Sequence, residues 1–321
     1  MKNIEDLLKT KNREFEAMTP AEKKSYFSQL RDYCYNLGKT KSKISASQRL
    51  IKKCNPKIRK FEYELNGIEN IPKDGAILVI NHSNSHDIIN VYEVLTSLGL
   101  NSSVMLTSEG LNPIVLALFK NANATVIDRF NKTKSMNGIY QLSNKVLNQC
   151  VGVVFSEGTW NLHPIKPMQN IKIGAAKVSA ITQKPIIPTI MEYIEIPILC
   201  NKESELYKKC IIQFGKPISI NEEDSLVKQT HLIQRRMEDM RRKIWTSNDV
   251  KRDKIEDINP ILYINHTWLK EYDGLANGFD ADIENRVFYS KDGIPPENEY
   301  YINEFGEFVP GTIPKKSLIK R

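Results

Sequence analysis

Short apolar runs alternate with helix-type patterns from about residue 61 to residue 215, and this alternation constrains the fold more than any other feature. Apolar segments of strand length occur at 61–65, 76–81, 102–107, 124–128, 151–155, 185–191 and 210–215. Helical patterns lie between several of them, at 87–98, 113–120, 135–149 and 171–183. The alternation predicts an α/β domain with a mixed, mostly parallel sheet flanked by helices. Such a sheet binds its ligands where the strands end.

The segments on either side of this region differ from it in composition. Residues 1–60 are predicted to be helical, with a helix start at Thr19-Pro20, and residues 31–60 hold ten Lys/Arg against the single acid Asp32. Residues 225–245 form an amphipathic pattern that we interpret as a helix covering the sheet, with membrane docking as the alternative. The chain is therefore divided into a basic helical segment (1–60), an α/β domain (61–245) and a C-terminal extension of unknown role (246–321).

Charge and cysteine content exclude several classes of protein. A net charge of +8 favours an anionic partner, and the basic run is either a solvated face or a footprint for anionic lipid or nucleic acid. Nucleic acid is disfavoured because the basic segments lack interleaved aromatic residues. Five scattered cysteines without a C-x-x-C pair indicate a reducing cytosol rather than a disulfide framework or thiolate zinc site. No run of 18 apolar residues occurs, so no transmembrane helix is predicted.

A histidine and an aspartate follow the apolar run AILVI. In NHSNSHDII, His82 and Asp87 can meet only if His82 lies in the loop and Asp87 in the first turn of the next helix. Asp87 would then fix the imidazole tautomer and leave the other ring nitrogen free to take a proton. A purely structural pair is the alternative. A metal site through His82 and His86 lacks a third ligand, and no metal is predicted.

Polar residues also follow two other predicted strands. Arg129 comes after ATVID, where an arginine serves as a surface ion-pair partner or as a clamp for phosphate or carboxylate. Glu157 and Gly158 follow VGVVF. Glu157 is either an ion-pair partner or an acceptor of hydrogen bonds from a polyol, and Gly158 lets a ligand approach the backbone. Lys172 opens the next helical stretch.

Taken in order, these stretches resemble the lysophospholipid and glycerol-phosphate acyltransferase family, over roughly residues 61–220. NHSNSHD is similar to the family's His-x4-Asp block, with His82 and Asp87 in the invariant places. VIDRF resembles the second block, where Arg129 takes the position of a substrate-binding arginine. FSEGTW resembles the third block, usually Phe-Pro-Glu-Gly-Thr-Arg, and KPIIPTIM resembles the fourth. NGIENIP and IQFGKPI look like the flanking strands.

The resemblance implies an acyltransferase domain over residues 61–245. His82, oriented by Asp87, would deprotonate an acceptor hydroxyl, which attacks the thioester of acyl-CoA or acyl-carrier protein. Backbone N–H groups near the helix start would stabilise the oxyanion. Neither a metal nor a cofactor is required. The implied acceptor-binding residues are Arg129, Glu157, Gly158, Thr159, Trp160 and Lys172. A cytoplasmic protein associated peripherally with an anionic membrane is expected.

The third block departs from the family pattern in a way that affects the acceptor. Trp160 replaces the usual arginine and Ser156 the usual proline, while Asn84 replaces a common serine in the first block. Trp160 can stack on a sugar or lie along an acyl chain, but it cannot replace a charge-assisted phosphate contact worth about 1.5–3 kcal/mol. A lysophospholipid or glycerol-phosphate-like acceptor, a glycolipid, a sugar or another polyol therefore all stay open, as does a non-catalytic lipid-binding module of the same fold.

Overall fold

The structure of the chain, a computed structural model, describes residues 7–8, 10, 12–38, 40, 43–59, 61–83, 86–107, 111–128, 131–158, 161, 167–195, 207–250, 300–302 and 308–310. Its helices are α1 (Asn12–Glu16), α2 (Pro20–Tyr35), α3 (Ala46–Ile58), α4 (Asp87–Ser97), α5 (Pro113–Asn121), α6 (Lys132–Leu147), α7 (Gly174–Thr182) and α8 (Leu226–Ser247). Its strands are β1 (Glu62–Asn66), β2 (Ala76–Ile80), β3 (Ser102–Thr107), β4 (Thr125–Ile127), β5 (Val151–Phe155), β6 (Ile186–Glu195), β7 (Tyr207–Phe214), β8 (Tyr300–Ile302) and β9 (Phe308–Pro310).

Strands β1 to β7 form one sheet in the order β1-β7-β6-β2-β5-β3-β4. Five of them, from β6 to β4 across the sheet, run parallel, while β7 pairs antiparallel with β6 and parallel with β1. The predicted α/β class, with a mixed and mostly parallel sheet flanked by helices, is confirmed. Strands β8 and β9 form a separate antiparallel pair in the C-terminal extension.

Each face of the sheet has its own hydrophobic core, because alternate side chains of every buried strand point to opposite sides. One core joins Ile77 and Val79 of β2 to α2, α6, α7 and α8. The other joins Leu78 and Ile80 to α3, α4 and α5. Helix α2 starts at a capping box formed by Thr19 and Glu22, as its sequence predicts, and it supplies fully buried side chains to the first core.

The sheet register determines which side chains meet where the strands end. Ile80, the last residue of β2, lies opposite Phe155 of β5 and Thr189 of β6. The chain segments that follow β2 and β5 therefore leave the sheet side by side. Strand β6 continues past Thr189 to Glu195, paired with β7, so that it extends beyond the end of β2.

Crossing a bilayer would require the described residues to contain a helix that is both long and apolar. No helix in this part of the chain meets both requirements.

Candidate active site

The structure brings His82 and Asp87 together where β2 ends. His82 lies in the loop after the strand and Asp87 is the first residue of α4. His82 Nδ1 lies 2.8 Å from Asp87 Oδ2, which also accepts the backbone N–H of Ser83 at 2.9 Å. The Asp87 side chain is fully buried, whereas that of His82 is 14% exposed. A buried carboxylate therefore holds one imidazole nitrogen while the ring keeps a path to the solvent.

Packing and backbone contacts position the imidazole from two more sides. The His82 ring stacks on Phe155, the last residue of β5, with 4.4 Å between ring centroids. The backbone carbonyl of His82 accepts the N–H of Asn161 at 2.7 Å. Because Phe155 lies beside Ile80 in the sheet, the register itself brings the aromatic ring under the histidine.

Glu157 connects three chain segments at this edge. Its side chain is buried, Oε1 accepts the backbone N–H of His82 at 3.0 Å, and Oε2 accepts that of Gln169 at 2.5 Å. The Gln169 side chain donates to Asn161 Oδ1 at 3.2 Å. A carboxylate that accepts two backbone N–H groups fixes the loop carrying His82 relative to the loop after β5. The predicted contact of Glu157 with an acceptor molecule remains a prediction.

Two of the remaining predicted acceptor-binding residues, Gly158 and Lys172, lie within the described residues. Gly158 has a left-handed backbone (φ 75°) and donates its N–H to Phe155 O at 3.1 Å, so its lack of a Cβ serves the turn. Lys172 is exposed, and its backbone N–H donates to Ser156 O at 2.8 Å. Arg129, Thr159 and Trp160 lie outside the described residues, and their roles stay predictions.

Two buried polar residues behind the dyad were missed by the sequence analysis. Tyr193 of β6 donates its hydroxyl to Asp87 Oδ1 at 2.5 Å, and Asn90 of α4 donates to the Tyr193 hydroxyl oxygen at 2.8 Å. Burial, and secondly the charge of Asp87, raise the pKa of Tyr193 well above its usual value. The available signal in both cases was a polar residue within a mostly apolar segment, in PIIPTIMEY for Tyr193 and in DIINVY for Asn90.

Binding of a metal ion by side chains usually requires at least three ligand residues close together. Within the described ranges, no three His, Cys, Asp or Glu residues come close enough to hold a metal ion together.

Fold and site together define an α/β protein with a His–carboxylate pair where its parallel strands end, suited to removing a proton from a hydroxyl group. Residues 62–192, which include His82, Asp87 and Glu157, match the family model described as Acyltransferase. The segment that carries the site is therefore similar to an acyltransferase domain.

The chain as a whole also has matches among solved structures. One solved structure that matches is the 1-acyl-sn-glycerophosphate (LPA) acyltransferase PlsC from Thermotoga maritima. It is 16% identical in sequence, the match covers 71% of this chain and 84% of that one, and the TM-score is 0.46. The comparison with curated proteins found no match.

Proposed function

We propose that the protein is an O-acyltransferase that moves an acyl group from acyl-CoA or acyl-carrier protein to a hydroxyl of a lysophospholipid-like or glycerol-phosphate-like acceptor. The observation that carries the proposal is the 2.8 Å contact between His82 Nδ1 and Asp87 Oδ2 inside the acyltransferase-family domain. The side-chain chemistry fits, because a histidine whose one nitrogen is held by a carboxylate is a suitable general base.

The reaction needs no covalent intermediate with the enzyme. His82 Nε2 takes the proton of the acceptor hydroxyl as its oxygen attacks the thioester carbonyl carbon. The tetrahedral intermediate collapses, the carbon–sulfur bond breaks, and the leaving thiolate takes the proton back from the imidazolium. An ester and a free thiol result, and Asp87 balances the transient positive charge of His82. Backbone N–H groups at the start of α4 are the candidate oxyanion donors.

The acceptor class depends on residues that follow β4 and β5. Arg129 and Lys172 are the cations proposed to bind an acceptor phosphate, whereas Trp160 occupies the place where the resembled family has a further arginine. A glycolipid, sugar or other polyol acceptor is therefore the alternative, with Trp160 stacking on the sugar ring. The two alternatives differ in whether a phosphate group on the acceptor raises kcat/KM.

A membrane surface is the proposed location of the acceptor. Helices α3 and α5 pack side by side and expose apolar side chains, with Ile114 79%, Ile58 63% and Leu50 52% exposed. Helix α3 also exposes four cations, Arg49, Lys52, Lys53 and Lys57. Exposed apolar side chains and exposed cations on the same helix suit an anionic bilayer. As the crossover helix between parallel β3 and β4, α5 has its amino end toward the edge of the sheet that carries His82.

The decisive experiment measures thiol release from acyl-CoA and acyl-carrier protein with a panel of phosphate-bearing and sugar acceptors. Thiol should be released only with a suitable acceptor, and His82→Ala should reduce the rate by at least about 100-fold, since general-base catalysis contributes about 10²–10⁴-fold. His231→Ala, which changes an exposed histidine of α8, is the matched control and should keep full activity. Unchanged thiol release in His82→Ala would remove His82 as the base.

A non-catalytic lipid-binding role of the same fold is the competing proposal, because the third block has lost its arginine. Tight binding to vesicles without turnover on any acceptor of the panel would favour it. The buried Asp87 that holds His82 in place weighs against this role, since lipid binding alone does not require an oriented imidazole.

A further inference from the structure

The catalytic carboxylate proposed above is held from behind as well as by His82. Asp87 Oδ2 faces His82 Nδ1 and Ser83 N–H, while Oδ1 accepts the hydroxyl of Tyr193 at 2.5 Å. Tyr193 comes from β6, on the part of that strand that continues past the end of β2. One oxygen of the Asp87 carboxylate therefore contacts the loop after β2, and the other contacts strand β6.

Asn90 sets the direction of the hydrogen bond between Tyr193 and Asp87. The Asn90 amide nitrogen can only donate, and it donates to the Tyr193 hydroxyl oxygen at 2.8 Å. The tyrosine hydrogen is therefore directed to Asp87. The Asn90 carbonyl oxygen in turn accepts from Asn55 Nδ2 at 2.9 Å and lies 2.9 Å from the Tyr63 hydroxyl, which fixes the orientation of the amide.

The network ends at an ion pair between α3 and α4. Glu93 accepts from Asn55 Nδ2 at 2.6 Å and lies 3.0 Å from the Tyr63 hydroxyl. The guanidinium of Arg59, which follows the last residue of α3, donates to the Glu93 carboxylate from Nε and Nη2, both at 3.1 Å. Arg59 can only donate and an ionised Glu93 can only accept, so Asn55 presents its NH₂ group to Glu93 and to Asn90 Oδ1. Asn90 then presents its own NH₂ group to Tyr193.

We propose that Tyr193 is a positioning residue for acyl transfer, which fixes the Asp87 carboxylate and, through Asn90, ties it to the Arg59–Glu93 ion pair. This inference rests on the proposed function of His82 and Asp87. The Tyr193 hydroxyl also disperses part of the Asp87 charge, so the carboxylate attracts the imidazolium less strongly than a carboxylate without this donor. Tyr193 itself stays protonated, because burial and the charge of Asp87 raise its pKa.

Other ionisable groups interact with Asp87 directly or are linked to it through the hydrogen bonds described above, and they must be considered in any pH profile. They come from the loop after β2, from α4, from β1, from β7, from the end of α3 and from the turn after β5. These groups are His82, His86, Glu93, Tyr63, Cys210, Arg59 and Glu157. A substitution at Tyr193 that keeps all of them in place isolates the effect of one hydroxyl.

Tyr193→Phe removes only that hydroxyl, and the pH dependence of kcat/KM is the informative measurement. We expect the midpoint of the acid limb to move up by about 0.5–1 pH unit, because the imidazolium is then more strongly stabilised. At the pH of the wild-type midpoint, kcat/KM of Tyr193→Phe as a fraction of its own plateau should be about 3-fold lower than the corresponding fraction for wild type. The reason is that more of the His82 base is protonated in the variant. KM should change less than kcat.

Tyr140→Phe is the matched control: its buried hydroxyl has no hydrogen-bond partner within the described part of the chain, and it lies in the core on the other face of the sheet.

A direct titration separates this inference from the proposed function. The ring signals of His82, assigned by their loss in His82→Gln, can be followed against pH by NMR without any substrate. An upward shift of the His82 titration in Tyr193→Phe supports the positioning role even where no acceptor of the panel reacts. A lower plateau rate with neither the acid limb nor the NMR titration moved would overturn it, because packing damage alone would have that effect.

A second variant serves if Tyr193→Phe fails to fold. Asn90→Ser removes the donor to the Tyr193 oxygen and should move the same midpoint in the same direction by a smaller amount, since Tyr193 then donates less strongly. An unmoved midpoint in a folded Asn90→Ser protein would contradict the proposed tie between Asp87 and the ion pair.

Discussion

The buried side chain of Glu157 accepts a 3.0 Å hydrogen bond at Oε1 from the backbone N–H of His82. The second carboxylate oxygen accepts Gln169 N–H. A glutamine in place of Glu157 presents an NH₂ group to one of these two donors. We expect Glu157→Gln to lower the free energy of unfolding by about 1–3 kcal/mol, measured by chemical denaturation, because a charge-assisted buried bond is lost. Activity should fall about 10-fold or more, since a misplaced base reacts poorly.

A comparison with an exposed glutamate controls for the charge change. Glu64→Gln, which affects a surface ion pair with Lys209, should change stability by less than about 0.5 kcal/mol. If Glu157→Gln raised KM for the acceptor while leaving the unfolding free energy at the wild-type value, Glu157 would act by contacting the acceptor, as predicted from the family resemblance, rather than by holding the loops.

A buried ion pair connects α8 to the sheet and to the segment after the third block. Arg241 Nε donates to Glu192 Oε2 at 2.6 Å, Arg241 Nη1 donates to Pro167 O at 2.7 Å, and both side chains are almost fully buried. Arg241→Met leaves the Glu192 carboxylate buried without its cation. We expect a loss of about 3–5 kcal/mol in the free energy of unfolding, measured by chemical denaturation.

The neighbouring residue provides the control for this change. Arg242 is exposed, so Arg242→Met should alter stability by less than about 0.5 kcal/mol. The double variant Arg241→Met with Glu192→Leu should recover much of the loss, because no uncompensated charge remains. Equal effects of Arg241→Met and Arg242→Met would show that the buried pair contributes no more than a surface charge.

The fold could be predicted from the sequence because its signals are local. The apolar runs at 76–81, 102–107 and 151–155 contain β2, β3 and β5, and helix starts such as Thr19-Pro20 carry their own capping residues. Periodicity of this kind reports burial directly, whatever the partner element is. Helix α8 was also predicted as a cover for the sheet, and it packs against β6 and α7.

The contacts around the dyad could not be predicted, because they depend on partners far apart in the chain. Tyr193 lies 106 positions from Asp87, and Arg241 lies 49 positions from Glu192. Arg59 was counted with the basic run of residues 31–60, yet its guanidinium joins the buried network behind Asp87. A charge count along the sequence does not distinguish a solvated cation from one that is paired in the interior.

Lys145 gives a stability prediction that depends on pH. Its ammonium contacts Asn123 O at 2.8 Å, Ala124 O at 3.0 Å, Thr125 Oγ1 at 3.1 Å and Ser103 Oγ at 3.2 Å. Burial lowers the pKa of Lys145 from its usual 10.5 to about 8. Between these two values the unfolded chain binds the proton and the folded protein does not, so stability rises with pH in this window.

The measurement compares wild type with Lys145→Met by chemical denaturation at pH 7.5 and pH 9.5. The wild type should gain about 1–2 kcal/mol relative to the variant between the two conditions. Ionisation of tyrosines and cysteines is common to both proteins and cancels in the difference. Parallel stability curves would mean that Lys145 keeps its proton in the folded state throughout this range.

Binding to anionic vesicles tests the proposed membrane surface on α3 and α5. Lys52, Lys53 and Lys57 are exposed beside the apolar Leu50 and Ile58, and each lysine near an anionic surface contributes about 1 kcal/mol. Changing the three lysines to glutamate should weaken co-sedimentation with phosphatidylserine vesicles by at least about 10-fold, and added salt should weaken wild-type binding.

The control carries the same triple change at Lys216, Lys228 and Lys243, which are exposed at or near α8. Equal loss in both triple variants would show that net charge, rather than this surface, determines binding.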